Sequence, residues 1–166
     1  MFPLDISAAA LAVNRSLIER GLMIVMAESC TGGLIAGALT AIPGSSEAVF
    51  GGYVTYSNTA KAAMIGVDPG LIERHGAVSE AVARAMAEGA RRTSGADVAI
   101  AVTGVAGPGG GTATKPVGLV HFAFADGAKS LHLERRFGDI GRDDVRMASV
   151  RTALELVLEG IGATRA

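Results

Sequence analysis

The sequence predicts an α/β fold: a three-layer α/β/α sandwich with a mixed, mostly parallel sheet and one antiparallel hairpin. Three observations lead there. Short, almost wholly apolar runs at residues 22–27 and 98–103 read as strands buried on both faces, as in a sheet with helices on each side. Helical patterns alternate with the strand-like runs, which implies parallel strands joined by crossovers. Two alternating segments, 117–125 and 129–137, flank Asp126-Gly127, a strong signal for a tight two-residue turn.

Each element has its own local reason. Asp5 can cap a first helix whose Leu4, Ala8, Leu11 and Ile18 recur at helical spacing, and Gly21 ends it. Residues 33–42 read as a short helix stopped by Pro43-Gly44, and residues 50–57 are β-prone, with Tyr53, Val54, Thr55 and Tyr56. Asn58 can cap a helix that carries Lys61, Pro69 starts another that stops at Gly76, and Ser79 caps an Ala-rich helix to about Thr93. Residues 104–116 form a Gly/Pro loop. The last helix, 143–160, shows Met147, Val150, Leu154, Val157 and Ile161 on one side.

Composition narrows the function classes. With 166 residues, 49% hydrophobic and 19% charged, the chain is expected to be a single globular domain over 1–166. A formal net charge of −1 and the lack of a Lys/Arg stripe argue against a nucleic-acid partner. One cysteine excludes an internal disulfide and fits a reducing compartment. There is no basic leader at the N-terminus and no apolar run of the ~18 residues a membrane span needs. The expectation is a cytoplasmic protein without a membrane partner.

In open α/β sheets, ligands bind beyond the carboxyl ends of the strands. Three segments collect there: the Ser29 turn, residues 56–61, and the loop after Thr103. Ser29 is followed by Cys30, Thr31, Gly32 and Gly33, whose N–H groups can hold a phosphate or a developing oxyanion. A plain N-cap serine fits the same spacing. Lys61, about one turn into its helix, can serve as a base if burial lowers its pKa, or can be an ordinary solvated lysine. Tyr56 is the tyrosine that can share the site; Tyr53 points to the opposite face of an extended strand.

Cys30 is the rival nucleophile, or else inert packing. The loop Thr103-Gly104-Val105-Ala106-Gly107-Pro108-Gly109-Gly110 is neither a Walker A pattern nor a dinucleotide fingerprint, and reads as a loose phosphate cradle or as a loop without a ligand. Arg142 can clamp a phosphate bidentately or make a surface salt bridge. A two-residue hairpin loop pairs His121 directly with His132, an exposed cross-strand contact with no third metal ligand; Val120, Phe122 and Leu131 form the core side. His75 reads as a cation at a helix C-terminus.

Taken together, Ala27-Glu28-Ser29-Cys30-Thr31-Gly32-Gly33, Val54-Thr55-Tyr56-Ser57-Asn58-Thr59-Ala60-Lys61 and the Thr103 loop resemble the CinA C-terminal domain family over nearly the whole chain. The resemblance implies an α/β/α fold in its stand-alone form, a homodimer, and hydrolysis of the carboxamide of nicotinamide mononucleotide. The products are nicotinate mononucleotide and ammonia, formed with no metal and no cofactor, in pyridine nucleotide recycling. By the same resemblance Ser29 is the nucleophile, Lys61 its base and Tyr56 the motif tyrosine; Thr103, Gly104 and Gly107 belong to the substrate loop. Arg142 is the looser match, because Ile140-Gly141 interrupt the Gly-Asp-Arg of many relatives. The mechanism expected has neutral Lys61 taking the serine proton, directly or through Tyr56. The amides of Thr31, Gly32 and Gly33 hold the oxyanion, and Arg142 holds the phosphate. A non-catalytic nucleotide sensor and an amidase for another small carboxamide are the alternatives.

Overall fold

A computed structural model describes residues 2–163. The elements run α1 (Leu4–Arg20), β1 (Ile24–Glu28), α2 (Leu34–Thr40), a 3₁₀ turn (Ser45–Glu47), β2 (Val49–Val54) and α3 (Asn58–Ile65). They continue with α4 (Pro69–His75), α5 (Glu80–Ser94), β3 (Val98–Gly104), β4 (Leu119–Ala125), β5 (Ser130–Arg136) and α6 (Arg142–Gly160). The sheet has five strands in the order β2-β1-β3-β4-β5. β1 is parallel to β2 and to β3, while β4 is antiparallel to β3 and β5, so β4 alone runs against the rest. The predicted mixed, mostly parallel sheet with a hairpin is the one observed.

Every residue of β1 and β4 is buried, because helices cover both faces of the sheet. On one face Met26, Ile100, Val102, Phe122 and Phe124 pack with Ile6, Leu17, Ile35, Leu39, Val150 and Leu154 from α1, α2 and α6. On the other, Val25, Ala27, Ala99, Ala101 and Ala123 meet Ile65, Ile72, Val82 and Met86 from α3, α4 and α5. Alanines dominate that second sheet surface, which lets α5 lie close to it. Among the described residues no helix is long and apolar enough to cross a membrane.

After β1 the chain moves to β2 on one side and later to β3 on the other, so the strand order reverses around β1. The crevice at that reversal opens beyond the carboxyl ends of β1, β2 and β3. Ser29, Thr55 and Gly104 all lie there.

Three local expectations are corrected. The first concerns α1, which buries Ile6, Ala10, Val13, Asn14 and Leu17, and leaves Leu4 at 89%, Leu11 at 38% and Ile18 at 38% exposure. Both stripes are apolar; the buried one packs into the core and also carries Asn14, whose Nδ2 donates to the Leu39 carbonyl at 2.9 Å. Asp5 does not cap the helix, which begins after Pro3 without a side-chain cap; it pairs instead with Arg151 of α6.

The second is the cap of α3. Ser57, not Asn58, takes it by accepting the Ala60 N–H at 3.0 Å.

The third is the hairpin register. The strands end at Ala125 and resume at Ser130, and the turn between them centres on Gly127-Ala128, where Asp126 N–H donates to Lys129 O and Asp126 Oδ1 accepts from the amides of Ala128 and Lys129. Ala125 therefore pairs with Ser130, and His121 with Glu134 rather than His132. The imidazoles still meet diagonally, His121 Nδ1 lying 3.0 Å from His132 Nε2. They are not exposed: His121 is 7% accessible, and Glu80 and Arg84 of α5 reach across the pair to His132 and Ser130. Burial pushes both rings below the usual histidine range.

The rotation of α1 has a direct test. Leu17→Ala should cost about 2–5 kcal/mol, whereas Leu11→Ala should cost under ~1 kcal/mol, both read from urea unfolding midpoints. The reverse ranking would mean that the other stripe faces the core.

Candidate active site

The site begins with the turn between β1 and α2. Two successive left-handed residues, Gly32 at φ 61° and Gly33 at φ 98°, let the chain turn from strand to helix within a few residues. Ser29 N–H donates to the Val102 carbonyl of β3 at 3.0 Å, which fixes the nucleophile candidate against the central strands. At the neighbouring strand end, Thr55 N–H donates to the Glu28 carbonyl at 2.8 Å. That bond brings the segment entering α3 directly beside Ser29.

Lys61 uses this proximity. It lies on the inward side of α3 and is 1% exposed. Its Nζ is 3.1 Å from Ser29 Oγ, 2.8 Å from the Thr55 carbonyl and 3.5 Å from the Tyr56 carbonyl. No ion pair to Lys61 is formed among the described residues. Burial pushes the amine below the ordinary lysine value of 10.5, against which only a Cys30 thiolate would act. That thiolate is absent at neutral pH, because burial pushes the Cys30 thiol up to about 12. Cys30 therefore lacks the thiolate a rival nucleophile needs.

A cleft of about 210 Å³ opens over this pair. Of the residues singled out in the sequence, Ser29, Cys30, Tyr56, Lys61, Thr103, Gly104 and Arg142 line it. Thr31, Gly32, Gly33 and Gly107 do not. Thr103 Oγ1 donates to the Ala77 carbonyl at 2.9 Å, so its hydroxyl holds the α4–α5 connection at the cleft wall. Gly104 is a glycine for packing, since a Cβ there would lie 2.7 Å from Val120 Cγ2 and 2.8 Å from the Leu119 carbonyl. Arg142 spans the mouth, donating from Nη1 to the Gly107 carbonyl at 2.8 Å and from Nη2 to the Tyr56 hydroxyl at 3.1 Å.

Two mechanistic expectations change with this geometry. Tyr56 is 60% exposed and its hydroxyl meets Arg142, so the Tyr56 atom that faces Lys61 is a backbone carbonyl. The amides expected to hold an oxyanion are partly committed: Gly32 N–H donates to Ser29 O at 3.1 Å, and Gly33 N–H to Glu28 Oε2 at 3.0 Å.

Glu28 and Arg146 join the site from positions to which the sequence assigns no role. Glu28 is 1% exposed, and its carboxylate also accepts the amides of Ile35 at 3.1 Å and Ala36 at 2.8 Å. An acid closing an apolar strand just before a helix carried a signal, because a buried carboxylate must find donors and a helix start supplies them. Arg146 of α6 donates from Nε to Cys30 O and from Nη2 to Thr31 O, each at 3.1 Å. Its sequence signal was only a position four residues after Arg142, on the same side of the last helix.

Comparison with known proteins adds a family. Residues 6–161 match the model of the CinA C-terminal domain. The chain is 54% identical over 157 residues to a CinA-like protein of Synechococcus sp. (strain RCC307), an alignment covering 94% of this chain and 38% of that protein. The chain thus spans well under half the length of that curated relative. Among solved structures, the competence/damage inducible protein CihA from Agrobacterium tumefaciens superposes with a TM-score of 0.94 at 53% identity, covering 98% of both chains. A competence-damaged protein (CinA) superfamily protein from Escherichia coli superposes with a TM-score of 0.89 at 36% identity, covering 96% of this chain and 92% of that one. A family model matched over residues 6–161 and a relative 54% identical over 157 residues, with the serine turn and the buried lysine in one crevice, have one consequence: this chain belongs to the CinA C-terminal domain family.

Proposed function

We propose that this chain hydrolyses the carboxamide of nicotinamide mononucleotide to nicotinate mononucleotide and ammonia, in pyridine nucleotide recycling. Ser29 is the nucleophile and Lys61 the base. The observation that carries this reading is the 3.1 Å contact between Ser29 Oγ and a lysine amine that is 1% exposed. A neutral amine has two N–H donors and one lone pair. The Thr55 and Tyr56 carbonyls account for the two donors, which leaves the lone pair for the Ser29 hydroxyl. That is the arrangement a serine needs for activation.

The steps follow from it. Ser29 Oγ attacks the carboxamide carbon as its proton passes to Lys61. The oxyanion accepts hydrogen bonds from amides of the serine turn, each worth ~3 kcal/mol in sites of this kind. Lys61 then returns the proton to the departing nitrogen, and ammonia leaves. Water, deprotonated by the regenerated amine, hydrolyses the acyl ester on Ser29. A pyridinium ring in the cleft disfavours a second positive charge beside it and so helps to keep Lys61 neutral. Arg142, exposed at the mouth, meets the ribose phosphate, and its bonds to Gly107 and Tyr56 set the guanidinium plane for bidentate contact.

Purified, chelator-treated protein should release ammonia from nicotinamide mononucleotide. Binding without ammonia would favour a sensor, and turnover of a different carboxamide in a substrate panel would favour another amidase. Ser29→Ala and Lys61→Ala should each lower kcat by about 10³-fold or more, while Cys30→Ala, which removes only a buried protonated thiol, should stay within about threefold of the parent. Full turnover by Lys61→Ala at neutral pH would overturn the base assignment.

The pH dependence has a definite sign. The working form of Lys61 is unprotonated, so kcat/KM should climb with rising pH and level off above the lysine pKa, which lies below 10.5. A profile that falls across that range would contradict a neutral amine base.

A further inference from the structure

The turn bearing Ser29 is fastened from two sides. Glu28 takes the amides of Gly33, Ile35 and Ala36 on the helix side. From α6, Arg146 donates to the carbonyls of Cys30 and Thr31 from Nε and Nη2, which share one edge of its guanidinium, each at 3.1 Å. Ser29 N–H goes to Val102 O, and Gly32 N–H goes to Ser29 O. Within residues 29–33, this leaves the amides of Cys30 and Thr31 without an acceptor among the described residues.

We infer that Arg146 is a positioning residue of the reaction: its bonds to the Cys30 and Thr31 carbonyls hold the serine turn so that the free Cys30 N–H stays aimed at the oxyanion, and they polarise the Thr31 N–H, which shares a peptide with the Cys30 carbonyl. The inference rests on the serine mechanism proposed above. A trans peptide directs its N–H opposite to its C=O. With the Cys30 carbonyl turned to Arg146, the Thr31 N–H of that same peptide is turned away from α6. A cation on a carbonyl oxygen draws density from the peptide and strengthens its N–H as a donor. Arg146 brings an unneutralised charge to this task, since no ion pair engages it among the described residues. The buried carboxylate nearby is occupied by three amides of its own. A planar fork suits two successive carbonyls in a way an ammonium cannot.

Cys30 N–H belongs to the residue that follows the nucleophile, a recurrent position for an oxyanion donor in serine hydrolases. Cys30 also lines the cleft, whereas Thr31, Gly32 and Gly33 do not, so the Cys30 N–H is the donor nearest the reacting carbonyl. The cysteine thus contributes its backbone, while its thiol stays protonated in the core.

The test compares Arg146→Lys and Arg146→Met with the parent protein and with Arg142→Met. Two readouts are used: ammonia release from nicotinamide mononucleotide, and the rate at which a fluorophosphonate adds to Ser29, followed by intact mass. The second depends on the serine and its oxyanion donors but not on the identity of the natural substrate. Both Arg146 variants should lose about 10–100-fold in kcat and in labelling rate, with KM within about threefold. Arg142→Met should instead raise KM and leave labelling near the parent rate. Urea midpoints separate a misfolded variant from a mispositioned turn, and a loss of rate that merely follows the folded fraction would overturn the inference. So would parental labelling in Arg146→Lys and Arg146→Met. If the parent labels at Ser29 but releases no ammonia from nicotinamide mononucleotide, the substrate reading fails and the labelling rates alone decide the role of Arg146. If the parent does not label, both fail.

Discussion

A lysine amine shut away from water and hung from a backbone carbonyl is the constraint around which this site is organised. Thr55 holds the Lys61 amine at 2.8 Å and is itself bonded through its amide to the Glu28 carbonyl, one residue before Ser29. Lys61 and Ser29 are thus brought together through the pairing of β2 with β1, not through flexible side chains alone. Burial without a counter-ion is what makes the amine useful. A lysine with a carboxylate partner would hold its proton, and a solvated one would be protonated at neutral pH.

The carboxylate best situated to spoil this arrangement is engaged elsewhere. Glu28 sits one residue from Ser29 and is almost wholly buried, yet its oxygens are taken by the amides of Gly33, Ile35 and Ala36. It satisfies the otherwise unpaired donors at the start of α2 and interacts favourably with the helix dipole. The same bonds hold Gly33 at the left-handed corner of the turn. Arg146 secures the other side through carbonyls, so the turn is held by one charge of each sign acting on opposite backbone groups. Such a turn has little freedom to relax, which is what an oxyanion site requires, because donors that need not reorganise stabilise charge best.

The mouth of the cleft is organised differently. Tyr56 and Arg142 are exposed, and they come together from the β2–α3 connection and the start of α6, with the Gly107 carbonyl as a third point. Polar groups at the rim and a buried lysine amine at the floor give the cleft two chemical zones. A ligand with an amide at one end and an anion at the other matches that division.

Much of this was legible in residue order. Apolar runs ending at strand termini, Pro69 opening a helix, Ser79 as a cap and the glycines after helices mark elements through local bonds and backbone preference, and those signals act within a few residues. The serine turn and Lys61 were identifiable for the same reason, since strand-end position and motif spacing are local. Tertiary packing decided the rest. Which of two apolar stripes on α1 faces the core is settled by packing against the sheet, α2 and α6, and the hairpin register depends on which amides Asp126 captures. Partnerships across 116 residues, such as Arg146 with Cys30, leave no trace in spacing. Whether Lys61 is charged likewise depends on what surrounds it, because proton affinity follows from solvation and neighbours brought together only when the chain folds.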